Sequence, residues 1–303
     1  MYYLLCHPQC RYFIPFLRNF EYLLKKNGHD AKLVFAYDAN TDNGSDLWFV
    51  IWNSLPVLPK RCIIYNMDPM VPHIDKQLHE LIQRSTSKTS STSKILKFVD
   101  YCYGSNKSKL ADILTLHNIP YKILPYGYSK YHSLVKQFIF STLPEPVKSD
   151  IDILFYGNVS GRRIPLIMSI NDFVRRNNYT FMIRNYDLFD EREKILTIAR
   201  ARIIISFASA DTLAFKGNDL ARSAQVLSSG GFVITEFIGD STVENVMKEY
   251  VPHYSTVDEL LELLKHYLSN EAARQAKLKV IAERFPKDFP LEKNLLEIIT
   301  TAQ

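Results

Sequence analysis

The chain has 303 residues, of which 47% are hydrophobic and 23% charged, and its formal net charge is +5. This composition excludes an intrinsically disordered chain, because disorder needs low hydrophobicity and high net charge. The chain has 37 basic and 32 acidic residues. This positive excess is too small to predict nucleic-acid binding, although it suits a groove that accepts a phosphorylated small molecule. A chain of this length is expected to form two domains of about 150 residues each.

The sequence carries only weak signals for targeting, for a membrane segment and for metal binding. The first seven residues lack the basic region and the long apolar stretch of a signal peptide, and we expect them to form a strand. No apolar run reaches the roughly 18 residues that a membrane helix needs, so we expect no integral membrane segment. The four cysteines are too few for a disulfide scaffold, and reduced thiols in a cytoplasmic protein are the simpler interpretation. Asp150 and Asp152 open a predicted strand rather than ending one, and we predict no metal site there.

The first half of the chain alternates short apolar runs with helical patterns. After a strand at 2–6, apolar residues at helical spacing predict a helix over 12–26 that ends at Asn27-Gly28. Further strands are predicted at 31–36, 47–52, 62–65, 98–103 and 121–124, with a helix at 107–117 and an exposed loop at 85–93. The alternation of strand and helix predicts a parallel α/β sheet.

The prolines at 144 and 146 interrupt this pattern, because neither offers an amide donor to a helix or a central strand. The alternation then restarts. Strands are predicted at 151–156, 180–184, 202–207 and 232–235, and helices at 164–176, 191–199, 220–228, 257–267, 271–283 and 291–301, with 285–289 interrupted by prolines. We therefore expect two Rossmann-like α/β domains, 1–143 and 144–303, facing each other across a cleft; the last helix could pack back on the first domain.

The most suggestive loop, Gly157-Asn158 through Arg162-Arg163, lies between a predicted strand and a predicted helix. Two glycines, at 157 and 161, would let the backbone approach a ligand closely, and a helix N-terminus favours an anion. Arg162 or Arg163 could clamp a diphosphate with two hydrogen bonds. The alternative is an ordinary turn with solvated arginines. The arginine pair favours the anion site, because cations at a helix N-terminus oppose the helix dipole unless an anion is present.

A second candidate is the turn Ser228-Ser229-Gly230-Gly231 after a predicted helix. Glycine commonly ends a helix, and that interpretation is favoured for the turn on its own, whereas backbone and hydroxyl donors could also bind a phosphate. At the start of the same helix, Arg222 and Gln225 are three residues apart and could face a ligand together or lie on the surface. Asn218 and Asp219 precede them, and Asp219 could serve only as a cap.

The candidate bases lie in the first domain. His7 follows the first predicted strand, and Asn66 and Asp68 follow the strand at 62–65, so all three occupy carboxyl ends of strands where ligands bind. His7 or Asp68 could remove a proton from a hydroxyl group, although a turn at Asp68 and a structural role for His7 remain open. Tyr126 and Gly127, after the last strand of this domain, could form part of the cleft floor or of a hinge.

Taken in order, several blocks of the second half resemble the nucleotide-sugar-binding half of GT-B glycosyltransferases, and most closely the CgeB/YkvP-like group of group 1-like enzymes. The group has the patterns "DILFYG…RR" and "R-x-x-E-x-L-x-x-GGF-x-x-T-E". The corresponding segments here are DILFYGN at 152–158 with RR at 162–163, ARIIIS at 201–206, RSAQVLSSGGFVITE at 222–236 and YSTVDEL at 254–260. The resemblance covers roughly residues 150–285.

The resemblance implies that the second domain holds a UDP- or GDP-linked sugar as co-substrate and that the first holds a glycan or other acceptor. It implies a cytoplasmic, metal-independent hexosyl- or pentosyltransferase of glycan biosynthesis with no cofactor. Gln225 stands where the family usually has a Glu that bonds the donor ribose. The implied donor-binding residues are Gly157, Asn158, Arg162, Arg163, Ser206, Arg222, Gln225, Ser229, Gly230 and Gly231, the catalytic candidates are Asp68 and His7, and the acceptor or cleft residues are Asn66, Tyr126 and Gly127.

Three functions follow from these residues. A sugar transferase that uses a nucleotide-diphosphate donor is the leading hypothesis, because arginines and a helix N-terminus would stabilise the leaving diphosphate. The alternative is a non-catalytic nucleotide- or sugar-binding module of the same fold, suggested by Gln225. A dinucleotide oxidoreductase is disfavoured, because His7-Pro8-Gln9-Cys10 follows the first strand in place of a Gly-x-Gly-x-x-Gly turn.

Overall fold

The structure of the chain, a computed structural model, divides it into two compact units. One contains Met1–Pro125 and Leu291–Gln303, and the other contains Tyr126–Ala214 and Leu220–Pro290. The residues described are 1–6, 13–40, 42–51, 58–66, 76, 79–83, 93–100, 107–123, 127–185, 188, 190–209, 213, 221–239 and 247–300. Over these ranges, none of the helices is both long enough and apolar enough to cross a membrane.

The first unit is built on a parallel sheet of six strands in the order β2-β1-β3-β4-β5-β6. Its central strands consist mainly of buried apolar residues, as expected when helices cover both faces of a parallel sheet. The strands are β1 (Tyr2–Leu5), β2 (Ala31–Val34), β3 (Leu47–Ile51), β4 (Arg61–Asn66), β5 (Lys94–Asp100) and β6 (Tyr121–Ile123).

Helices of the first unit include α1 (Ile14–Lys26), α2 (Lys107–Leu116) and α9 (Leu291–Thr300). α1 begins with a proline in its first turn, where the missing amide is not needed, and ends on two lysines that suit the negative end of the helix dipole. It buries Phe16, Leu17, Phe20 and Leu24, and α9 packs against it. The last helix of the chain therefore completes the unit in which the chain begins.

The second unit is built on a parallel sheet of five strands in the order β11-β10-β9-β7-β8. Its strands are β7 (Ile151–Tyr156), β8 (Phe181–Arg184), β9 (Ala201–Ser206), β10 (Val233–Glu236) and β11 (His253–Tyr254). Its helices include α3 (Lys130–Ser141), α4 (Arg163–Asn177), α5 (Glu191–Arg200), α6 (Ala221–Ser228), α7 (Val257–Ser269) and α8 (Glu271–Asp288). Buried residues from β7, β9, α4 and α7 form one continuous core.

The prediction of an α/β chain with two parallel sheets is confirmed. Four elements differ from the sequence prediction: α3 and β11 are additional, β5 begins at Lys94 and not at residue 98, and α8 continues through Pro286 to Asp288. Pro286 lies in the last turn of this helix. α3 belongs to the second of the two compact units. The domain boundary at 143/144 and the cleft stay predictions, and the loop predicted at 85–93 lies almost wholly outside the described residues.

Candidate functional site

The strand order of the second unit reverses between β7 and β9. The chain passes from β7 outwards to β8, then crosses back to β9 and continues to β10 and β11. At such a reversal the connections leave in opposite directions and open a crevice at the carboxyl ends of the two strands, where ligands of open α/β sheets bind. Here those ends are Tyr156-Gly157 and Ser206-Phe207. The fold therefore marks this edge as the candidate site.

Arg222, on the first turn of α6, reaches the two strand ends at this reversal. One of its guanidinium nitrogens donates to the Ser206 hydroxyl at 3.3 Å, and the guanidinium carbon lies 5.4 Å from the centre of the Tyr156 ring. A side chain added at Gly157 would place its Cβ 3.0 Å from the other terminal nitrogen. Within the described residues, Arg222 forms no ion pair with a carboxylate. Three of the residues predicted to bind a donor, Gly157, Ser206 and Arg222, therefore meet here.

Arg162, predicted to face a diphosphate, is instead paired inside the unit. Its guanidinium bonds both carboxylate oxygens of Glu236 at the end of β10, with 2.8 Å between Nη1 and Oε2, and it also donates to the Ala208 carbonyl at 3.1 Å. Glu236 accepts the Ala208 amide as well, at 3.0 Å. Beside this pair, the buried hydroxyl of Tyr254 makes no hydrogen bond within the described part of the chain. The carboxylate of Glu236, within the same unit, therefore balances the positive charge of Arg162 at the N-terminus of α4.

Arg163 is also committed to the backbone. Its terminal nitrogens donate to the carbonyls of Asn158 and Phe207, each at 3.0 Å, so the side chain ties the loop after β7 to the segment after β9. The same loop is held on its other side, where Asn185 accepts the Val159 amide at 3.0 Å. Gly157 has a φ of +139°, which side-chain-bearing residues rarely adopt. These contacts make the loop a fixed wall of the site.

The turn Ser229-Gly230-Gly231 lies away from this edge. α6 begins near the carboxyl end of β9 and its eight residues span about 12 Å, so the turn leads into the start of β10. The amides of Ser229, Gly230 and Gly231 all donate to carbonyls of the last turn of α6. A Cβ at Gly231 would lie 2.8 Å from the Val226 side chain, which explains the glycine by packing. This geometry is that of a helix end, the interpretation favoured for the turn on its own. The turn, which was also a candidate phosphate contact, does not lie beside Arg222.

Gln225 lies one turn further along α6 than Arg222, on the same side of the helix and half-buried. From α3, the ammonium of Lys136 donates to the Ser229 carbonyl at 2.7 Å, and the Ser129 amide donates to the Ser228 hydroxyl at 2.9 Å. Burial lowers the pKa of Lys136. α3 therefore anchors the far end of the helix that carries Arg222, a contact that the sequence interpretation missed.

Sequence reasoning also missed a buried group of titratable side chains beside Arg222. Lys194 on α5 is buried, and burial, with a smaller contribution from Arg222, lowers its pKa to about 8. Burial likewise lowers the pKa of His132 on α3 to about 3, so its imidazole is neutral. His132 lies 3.9 Å from Glu191, which also accepts from the Tyr131 hydroxyl at 3.2 Å. A pattern of charged and polar residues on two helices gives no local sign that they pack together.

Several candidate residues were predicted in the first domain. Among them, Asn66 is the buried last residue of β4, as expected for a strand end. Gly127 belongs to the second unit, where a Cβ would clash with the Phe289 carbonyl oxygen, so close backbone packing requires glycine there. His7, Asp68 and Tyr126 lie outside the described residues, as do Asn218 and Asp219.

Asp150 and Asp152, where we predicted no metal site, are paired with arginines. Asp152 accepts from Arg202 at 2.7 Å, and Asp150 accepts from Arg200 at 2.6 and 2.8 Å. These pairs lie at the amino edge of β7, opposite the candidate site. Across the described residues, no group of three or more His, Cys, Asp or Glu side chains could hold a metal ion.

No protein-family model and no curated protein sequence matches the chain. Among solved structures, it is similar to WaaG, a glycosyltransferase involved in lipopolysaccharide biosynthesis, with 13% identity and a TM-score of 0.49 over 99% of this chain and 100% of that one. It is similar to an α1,3-fucosyltransferase with GDP-fucose, with 11% identity and a TM-score of 0.49 over 92% of this chain and 81% of that one. A second α1,3-fucosyltransferase structure has 10% identity and a TM-score of 0.44. At TM-scores below 0.5, these likenesses do not establish an activity.

Proposed function

We propose that the protein is a glycosyltransferase that binds a nucleotide-diphosphate sugar at the carboxyl edge of the second sheet. One observation carries the proposal: Arg222 stands at the reversal between β7 and β9, bound to the Ser206 hydroxyl, with no carboxylate partner within the described residues. An arginine in such a place can bind a phosphate through two hydrogen bonds. A diphosphate leaving group needs positive charge where its own charge develops.

Gly157 supports the same proposal, because it leaves the approach to Arg222 open. The terminal nitrogen of Arg222 lies 3.0 Å from the position of the missing Cβ, so any side chain would crowd the guanidinium. We propose that the chain's own cations, and no metal ion or cofactor, neutralise the diphosphate of a UDP- or GDP-linked sugar. Membership of the CgeB/YkvP-like group, transfer of a hexose or pentose to a glycan acceptor, and a cytoplasmic site belong to the same proposal.

Thermal unfolding with UDP, GDP and their common sugar derivatives tests donor binding. A ligand that binds only the folded chain stabilises it by about 2.7 kcal/mol at a hundred times its Kd, so the midpoint should rise with ligand concentration. Arg222→Ala should weaken binding about 10- to 100-fold, the loss expected for a charge-assisted contact. Arg176→Ala, on the exposed last turn of α4, serves as the matched control. If no nucleotide shifts the wild-type midpoint, the proposal is wrong.

Transfer itself needs a base for the acceptor hydroxyl, and Asp68 and His7 stay our candidates for it. Release of UDP or GDP from the bound donor, in the presence of glycan acceptors, measures turnover. Asp68→Asn and His7→Gln should each lower turnover by a factor of about 10² to 10⁴ while leaving nucleotide binding intact. Turnover that survives both substitutions would refute this assignment.

A binding module without catalysis is the second candidate, and Gln225 favours it. Its half-buried amide lies one turn from Arg222 and, unlike a glutamate, carries no charge. Gln225→Glu distinguishes the two. If wild type binds the nucleotide but turns nothing over, and Gln225→Glu creates turnover, the chain is a binding module derived from an enzyme.

A further inference from the structure

Asparagine followed by glycine occurs twice in the chain, at Asn27-Gly28 and Asn43-Gly44. The side-chain amide of an asparagine can react with the backbone nitrogen of the next residue, and glycine favours this reaction because it has no side chain to block the approach. Both asparagines are exposed, so exposure alone does not distinguish them. The contacts around the two pairs do.

At Asn43 the surrounding groups match the needs of such a reaction. The Ser45 amide donates to Asn43 Oδ1 at 2.8 Å, and the Ser45 hydroxyl donates to the same oxygen at 2.6 Å. When the Gly44 nitrogen attacks Cγ of Asn43, negative charge develops on this oxygen. Two donors held at an oxygen where charge develops stabilise the transition state, as in an oxyanion hole.

The Gly44 amide, which supplies the attacking nitrogen, already contacts a base. It donates to the Asp42 carboxylate, with 2.9 Å between the Gly44 nitrogen and Asp42 Oδ1. Asp42 is buried, and its other oxygen accepts from the Tyr37 hydroxyl at 2.9 Å and the Lys60 amide at 2.8 Å. Burial raises the pKa of Asp42, but hydrogen bonds from the amides of Lys60 and Gly44 outweigh it and leave the pKa below its usual value. Asp42 is therefore an ionised acceptor, fixed in place, for the Gly44 proton.

Asn27 has neither feature. It ends α1, where its side-chain nitrogen donates to the Leu23 carbonyl at 2.8 Å, and its Oδ1 accepts no hydrogen bond within the described part of the chain. The Gly28 amide donates to the Lys25 carbonyl at 3.1 Å, a neutral group that is a much weaker base than a carboxylate. The helix end thus holds the amide that would have to leave. Asn27 therefore serves as an internal control for a reaction at Asn43.

We propose that Asn43 is a self-modifying site at which the Gly44 nitrogen displaces the side-chain amide. A bond forms between the Gly44 nitrogen and Asn43 Cγ, and the bond between Cγ and Nδ2 breaks. The proton from Gly44 passes through Asp42 to Nδ2, which leaves as ammonia, and a cyclic succinimide remains. Water then opens the ring at either carbonyl and gives aspartate or isoaspartate at position 43. The reaction needs neither the proposed sugar donor nor any other ligand.

The isoaspartate product alters the loop that joins β2 to β3. It lengthens the main chain by a methylene group before Gly44 and so draws the Gly44 amide away from Asp42. Asp42 fastens this loop to Lys60, the residue before β4. Because a buried carboxylate then loses a donor, we expect the modified chain to unfold at a lower urea concentration than the unmodified chain. Anion exchange separates the two by charge, and equal midpoints would contradict this effect on the loop.

Peptide mapping by mass spectrometry, after incubation of the protein in oxygen-18 water, tests the proposal. Each conversion adds the heavy oxygen at the reacting position, and fragmentation distinguishes isoaspartate from aspartate. The same incubation in urea gives the rate that an Asn-Gly pair has without the fold. We expect the ratio of folded to unfolded rates to be about tenfold larger at Asn43 than at Asn27. Equal ratios at the two positions would overturn the inference.

Ser45→Ala tests the hydroxyl donor. It should slow the reaction at Asn43 about fivefold, whereas Ser45→Thr, which keeps a hydroxyl group, should stay within about twofold of wild type. Ser141→Ala, at the exposed end of α3, is the matched control and should leave the rates at both asparagines unchanged. A Ser45→Ala chain that reacts as fast as wild type, or aspartate without isoaspartate as the product, would overturn the proposal.

Discussion

The guanidinium of Arg162 and the carboxylate of Glu236 form a two-point ion pair that ties the loop after β7 to the end of β10. The same carboxylate accepts the Ala208 amide at 3.0 Å, so a single side chain joins the segments that follow three neighbouring strands. The unfavourable placement of a cation at the entrance of α4 is therefore compensated from within the unit. Arg222 is left as the arginine available to a ligand at this edge.

Glu236→Ala should lower the free energy of unfolding by about 2 kcal/mol, because it leaves the Ala208 amide without an acceptor and Arg162 with only the Ala208 carbonyl. The figure is below that for a fully buried pair, since Arg162 remains about a third exposed to solvent and its charge is partly screened. Urea unfolding measures it. Glu193→Ala, which removes an exposed pair with Arg184, should cost less than about 1 kcal/mol. Equal effects of the two substitutions would contradict a special role for Glu236.

Gly157→Ala should impair nucleotide binding more than its effect on stability accounts for. The new Cβ would lie 3.0 Å from Arg222 Nη2. The alanine would also have to adopt a φ of +139°. We expect about tenfold weaker binding of UDP or GDP, measured by calorimetry, and a loss of roughly 1–3 kcal/mol of stability.

Gly161→Ala is the matched control for this substitution. Gly161 lies in the same loop with a positive φ of +54°, but nothing lies within 4 Å of its added Cβ. It should lower stability by roughly 1 kcal/mol and leave the affinity within about twofold of wild type. If both alanines weaken binding alike, the effect comes from the loop backbone and not from Arg222.

Acid sensitivity should be traceable to His132. Burial lowers its pKa to about 3, so between pH 6.5 and pH 3 the unfolded chain binds a proton that the folded chain does not. The free energy of unfolding therefore falls as the pH drops through this window, by about 2 kcal/mol at pH 5 for this residue. His132→Gln should reduce the loss of stability between pH 7 and pH 5, measured by urea unfolding at both values.

His266→Gln, on the exposed face of α7, should leave that loss of stability unchanged. Some acid sensitivity should persist in His132→Gln, because burial also lowers the pKa of His253, to about 4. A loss between pH 7 and pH 5 that is identical in wild type and His132→Gln would refute the assignment.

The elements of the fold were predictable where burial leaves a local pattern. β4 and β9 each have a buried apolar centre, at 62–65 and 203–205, because both faces of a parallel sheet are covered, and α1 shows one apolar stripe because one face is covered. α3 escaped prediction because it buries only His132 and Ile139 and is held largely by polar contacts to α6. β11 has two residues, too few for any period to show.

The residues of the candidate site likewise include some that the sequence could place and some that it could not. Gly157 and Ser206 could be placed because parallel strands present their carboxyl ends at one edge, which strand order alone determines. Glu236 could not be given its role, since its partner Arg162 is distant in sequence and the two meet only through packing. The Ser229-Gly230-Gly231 turn shows the converse, a pattern suggestive of phosphate that the backbone uses to end a helix.

Asn19 should be a point at which the chain can be stabilised. Its side chain is fully buried in α1, and neither amide atom has a hydrogen-bond partner within the described residues. An unpaired buried polar group costs about 1–3 kcal/mol, whereas an apolar group of similar shape avoids that cost. Asn19→Leu should therefore raise the free energy of unfolding by about 1–2 kcal/mol, measured by urea unfolding. Asn177→Leu, at the exposed end of α4, should change it by less than about 0.5 kcal/mol, and a destabilised Asn19→Leu would show that the amide is satisfied in solution.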